Sequence, residues 1–205
     1  MADFYLAVLG VAGLGLASAY ASRLASRGVD EHKDFFFYVQ LVLMLLLGLQ
    51  LFLEGLRPGV NSLVALALGS FLAYSSSKAI ASSRHGRVVD RLERNAVLSL
   101  AVFEVPKGLA LGAAFALSPE YGLTIASITA ALNIPQSSLL ALSLHGRSVL
   151  EVLKVSLSGF VFFALSAVLA QALLSGTPLT GAVLALCSGA VLWVAHQEYS
   201  GSRKK

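Results

Sequence analysis

Long apolar runs separated by short polar segments dominate the chain. Seven runs come close enough to the roughly 20 mostly apolar residues that a helix needs to cross the hydrocarbon core of a bilayer. They span residues 4–20, 35–56, 60–77, 96–117, 121–144, 149–174 and 179–199. Most connections are short, and the two longer ones, 22–34 and 78–95, are charged. Nothing remains from which to build a soluble domain. Residues 1–205 therefore read as a single integral membrane domain, an all-α polytopic bundle of about seven transmembrane helices whose natural partner is the lipid bilayer. The first run has no basic residue ahead of its apolar stretch, and Arg23 and Arg27 follow it. That order is the reverse of a secretory signal, so the run reads as a retained span.

Composition agrees. Hydrophobic residues make up 57% of the chain and charged residues 13%, against about 45–50% and 25% in an ordinary soluble domain. A single cysteine, Cys187, excludes a disulfide framework and a cysteine-rich zinc module.

The net charge of +4 changes the picture only through its placement. Numbering the connections alternately puts thirteen basic residues on one face, from Arg23, Arg27 and Lys33 to Arg203, Lys204 and Lys205, and Arg57 alone on the other. Basic residues in short loops stay cytoplasmic, which predicts an outside N-terminus and an inside C-terminus. The segment RHGRVVDRLER, Arg84 to Arg94, then reads as part of a basic cytoplasmic loop at 78–95, close to anionic head groups. No folded reading module accompanies it, so nucleic acid is not an expected partner.

Polar groups inside the spans carry the candidate chemistry, because a charge at the bilayer centre costs about 2.5–3.5 kcal/mol and needs a partner or a function. The fourth run reads AVFEVPKGLALG, with Glu104 and Lys107 three apart on one helical face. The fifth reads TAALNIPQSSLL, with Asn133 and Gln136 at the same spacing. Each pair brackets a proline, Pro106 or Pro135. Proline inside a helix frees a backbone carbonyl in the preceding turn, and freed carbonyls beside polar side chains can coordinate a cation, as in transporters built from broken helices. Two readings stand together. Glu104, Lys107, Asn133 and Gln136 are transport-site candidates, with Glu104, Asn133 and Gln136 as weak metal ligands. Alternatively, Glu104 and Lys107 only neutralise each other while the two amides tie helices together. Gly108 and Gly112 form a GxxxG step suited to close helix packing.

Glu54 and Glu198, at span ends, and His32, His85, His145 and His196, in loops or near helix ends, read as surface groups. No HExxH, paired CxxC, phosphate-cradling glycine loop or nucleophile set is present, so enzyme chemistry is not expected.

At the two proline-bearing helices the chain resembles the ZIP family of zinc and iron transporters. That family's fourth helix typically carries His-Asn-x-Pro-Glu-Gly and its fifth His-x-x-Pro-Glu-Gly. FEVPKGLALGAAFALSPEYGLTIA and LNIPQSSLLAL follow the pattern in register. LSGFVFFALSAVLA is similar to the family's sixth helix and LCSGAVLWVAHQEYS to its seventh, so the match covers about residues 96–199. The resemblance implies a divalent-metal permease in the plasma membrane, with a homodimer as a possible assembly and a divalent ion as substrate rather than resident cofactor.

The family's metal ligands are mostly replaced. The fourth helix's histidine corresponds to Phe103, its asparagine to Glu104 and its bridging glutamate to Lys107. In the fifth helix Leu132 replaces the histidine, Asn133 is retained and Gln136 replaces the glutamate; Phe162 takes the acidic position of the sixth. The resemblance therefore implies a ZIP-like scaffold with a buried Glu104–Lys107 pair in place of its metal centre. Transport with altered or reduced metal dependence is then one expectation, and a non-transporting scaffold or regulatory subunit the other. A deprotonated Lys107 would restore one neutral ligand.

Overall fold

The structure is a computed structural model. It describes residues 1–56, 61–82, 88–144 and 146–202, the side chains of 26–27, 79–82, 88–99 and 201–202 excepted. Eight helices lie among these residues: α1 Ala2–Leu24, α2 Ser26–Glu31, α3 Lys33–Gly55, α4 Ser62–Ser82, α5 Val88–Leu117, α6 Pro119–Ser143, α7 Val149–Leu174 and α8 Thr180–Ser202. Six of them, α1, α3, α5, α6, α7 and α8, are long and apolar enough to cross a membrane. Helix is the form such segments must take, because lipid offers backbone N–H and C=O groups no partner outside the chain.

The charged stretches hold more helix than their composition suggests. Segment 22–34 contains the short α2. Of segment 78–95, read above as a loop, residues 78–82 continue α4 and 88–95 open α5, while 83–87 lie outside the described residues. The α4 helix, counted above as the third span, is not one of the six: its side chains are described only over residues 62–78, too short a stretch to be judged as a span.

The helices sort into an inner and an outer set. About half of the spans of α5, α6 and α8 is buried (50, 50 and 56%), against 28, 28 and 33% for α1, α3 and α7. The α5 helix packs most extensively on α7 and also on α8 and α6; α1 lies on α6 and α7, α3 on α8 and α6, and α4 on α8. The outer helices present Leu9, Leu46, Leu49, Leu165 and Leu173 to the surroundings, each more than half exposed. In water such a surface would aggregate; in lipid it is the solvated face.

Local chemistry fixes the turns. Ser118 Oγ accepts from the Tyr121 amide at 3.1 Å, with Pro119 in the first turn of α6. Ser148 and Glu151 form a reciprocal capping box at the start of α7. Gly146 and Gly176 take positive φ, +90° and +75°, where α6 and α7 end.

Small residues set the helix spacing. A side chain on Gly108 would collide with the Phe163 carbonyl and Ser166, and one on Gly112 with the Ala167 carbonyl, so these two positions seat α5 against the backbone of α7. Gly69 on Leu186 and Gly189 on Leu66 do the same, reciprocally, for α4 and α8. Without a hydrophobic force between helices in lipid, such close backbone approach supplies the packing energy.

Candidate functional site

Although proline removes an amide donor from the interior of a helix, neither Pro106 nor Pro135 breaks its helix: α5 and α6 run through both. The cation at their junction is the ammonium of Lys107, and side-chain oxygens hold it. Lys107 Nζ donates to Glu104 Oε1 at 2.7 Å, to Asn133 Oδ1 at 2.8 Å and to Gln136 Oε1 at 2.8 Å. An ammonium has three N–H groups, and all three are used. The same nitrogen stands 4.8 Å from the centre of the Phe103 ring, within cation–π range.

The acceptors are themselves anchored. Gln136 Nε2 donates to Glu104 Oε1 at 2.8 Å, and Asn133 Nδ2 donates to the Val11 carbonyl of α1 at 3.2 Å. Glu104, Lys107 and Asn133 are 2, 0 and 0% exposed, and Lys107 is the largest fully buried side chain in the chain's described part. A burial this deep is tolerable because the opposite charges cancel and each is hydrogen-bonded; removing either partner would strand the other.

The four polar residues singled out from the sequence thus converge on one centre. Gly108 and Gly112 lie outside it, in the α5–α7 seam. Leu132, at a histidine position of the resemblance, is fully buried in the apolar core. Phe162 departs from its assigned place. It is 37% exposed, on the outer side of α7, whereas Gly159 faces Leu100 and Glu104.

Three contributors had no sequence signal that marked them: the Val11 carbonyl, the Phe103 ring as a cation–π partner, and Ser156 of α7, which lines a small cavity beside Glu104. A second polar contact lies further along α1 and α6, where Ser22 Oγ and Ser138 Oγ stand 2.7 Å apart. At the end of α1, Arg23 donates through Nε and Nη2 to the Arg147 carbonyl, at 3.1 and 2.6 Å, tying α1 to the α6–α7 turn.

Among the described residues no group of three or more His, Cys, Asp or Glu is placed to hold a metal ion. His196 is an exposed neighbour of Ser200 and Trp193. His85, His145 and the side chains of the Arg84-to-Arg94 cluster lie outside the described residues. Compared with known protein families and with curated proteins, the chain matches none.

Proposed function

We propose that this membrane protein is a ZIP-like transporter, a divalent-cation permease of altered or reduced metal dependence, in which the Lys107 ammonium takes the place of a metal ion. One observation carries the reading: two adjacent proline-bearing helices enclose three polar side chains around a buried cation. Charged groups inside a membrane bundle mark substrate pathways by default. In this reading α4 is a seventh span, supported by the exposed Leu63, Val64, Leu68, Phe71 and Leu72 along it. The N-terminus faces outside, the protein resides in the plasma membrane, and zinc, iron or manganese ions are the substrates.

Passage of a divalent ion requires the ammonium to leave. Two unit charges 4 Å apart interact by about 4 kcal/mol at an effective dielectric of 20, and a divalent ion doubles this. Lys107 therefore acts as the gate. Purified protein in liposomes should take up zinc, iron(II), manganese or cobalt, and Lys107→Glu should change the rate or the order of preference. Absence of flux for all four ions overturns the reading.

The saturation of all three ammonium N–H groups favours a second reading, a non-transporting scaffold or regulatory subunit. Under it neither wild type nor Lys107→Glu conducts, and the pair serves stability alone.

A further inference from the structure

Glu104 leaves one oxygen unused. Its Oε1 takes both the Lys107 and the Gln136 donors, while Oε2 is buried without a hydrogen-bond partner. Across the interface, Ser156 Oγ on α7 is also buried and unpartnered, in a residue 4% exposed. Both residues line one cavity, which reaches from the cluster past Leu100 and Leu140. Leu100 is one turn before Glu104 on α5, and Leu140 one turn after Gln136 on the antiparallel α6. The cavity is therefore on the side of the cluster that points to the amino end of α5. Its volume is about 10 Å³, room for a single water molecule and nothing larger.

Charge selects the occupant. A cation at Oε2 would share its carboxylate with the Lys107 ammonium and be repelled by it, and an anion would meet Glu104 itself. A neutral molecule able to donate to a carboxylate and also bond a hydroxyl meets neither objection.

We propose that this cavity is a binding site for one water molecule, which donates to Glu104 Oε2 and bridges it to Ser156 Oγ. The water completes the hydrogen bonding of Glu104 and joins α7 to the charged centre of α5 and α6. The site is independent of whether the protein transports anything.

Two measurements on the full-length protein in lipid nanodiscs test it. A structure that resolves waters should show one density peak at hydrogen-bond distance from both Glu104 Oε2 and Ser156 Oγ. Radiolytic hydroxyl labelling, which oxidises side chains beside bound waters, should mark Phe160, another residue of the cavity wall. Ser156→Val fills the space and removes one partner, so the peak should vanish and Phe160 labelling fall several-fold. Should that variant fail to fold, Gly159→Ala narrows the cavity with only ordinary contacts, 3.4–3.5 Å to Leu100 and Glu104, and should lower the labelling likewise. A dry cavity, an anomalous metal signal in it, Glu104 Oε2 bonded to a protein donor, or labelling unchanged in the folded variant would overturn the proposal.

Discussion

Lys107 and Gln136 donate to the same oxygen of Glu104, at 2.7 and 2.8 Å, while Gln136 returns its own oxygen to Lys107 at 2.8 Å. The three side chains close a ring of hydrogen bonds between α5 and α6. Because the ring contains one carboxylate and one ammonium, it carries no net charge, which is the condition for keeping it inside a bundle that lipid surrounds.

The ring predicts a non-additive pair of substitutions. Lys107→Met leaves Glu104 as a buried, unpaired carboxylate and should cost about 3–5 kcal/mol. Combining it with Glu104→Gln removes both charges and should bring the loss to within about 1 kcal/mol of wild type. Equilibrium unfolding in detergent measures both. A double variant as unstable as the single one would rule out charge compensation as the reason for the pair.

Asn133 links the ring to a third helix. Asn133→Leu removes an acceptor from Lys107 and a donor from the Val11 carbonyl, leaving two buried polar groups short of partners. The expected loss is about 1–3 kcal/mol for each group left without a replacement. Amide hydrogen exchange should show α1 loosening around Val11 more than the distant α8; equal loosening of both would contradict this linkage.

The α5–α7 seam makes a steric prediction. Any side chain at Gly112 meets the Ala167 backbone carbonyl, whereas a β-carbon placed on Gly10 would have nothing within 4 Å. Gly112→Leu should destabilise by at least the roughly 1–3 kcal/mol typical of overpacking, because a backbone carbonyl cannot swing aside as a side chain can. Gly10→Leu, facing lipid, should lie within about 0.5 kcal/mol of wild type. Thermal unfolding of the two variants side by side gives the comparison.

Hydropathy made the membrane bundle legible, because lipid enforces long apolar helices, and helical spacing alone put Glu104 with Lys107 and Asn133 with Gln136. That the two pairs meet depends on how α5 and α6 face each other, and the i, i+3 pattern does not set this. The helical parts of 22–34 and 78–95 were hidden because polarity marks where lipid ends, not where helix ends. Backbone groups such as the Val11 carbonyl carry no residue identity at all, so no sequence pattern can point to them. Phe162, to which the resemblance gives the acidic position of the sixth helix, is 37% exposed; a helix turns about 100° per residue, so a single step along α7 moves a position from the core to lipid, and hydropathy does not mark that step.

Lys107→Glu offers the sharpest separation of a metal-replacing ammonium from a merely structural one. The substitution exchanges the buried cation for a second carboxylate, opposite Asn133 Oδ1 and Gln136 Oε1, the oxygens that now hold the ammonium. Two carboxylates and two amide oxygens form a hard-oxygen set suited to manganese or another divalent ion. Without an ion, the uncompensated charge should make this variant markedly less stable than wild type. Added manganese or zinc should then raise its stability, by about 2.7 kcal/mol when free ion reaches about 100 times the dissociation constant. Wild type, its site filled by Lys107, should shift far less over the same titration. Thermal unfolding against metal concentration reads both proteins in one experiment. A wild type stabilised as strongly as the variant would mean that the ammonium does not exclude the ion, and a variant that no divalent ion rescues would mean that the oxygen cage is shaped for lysine alone.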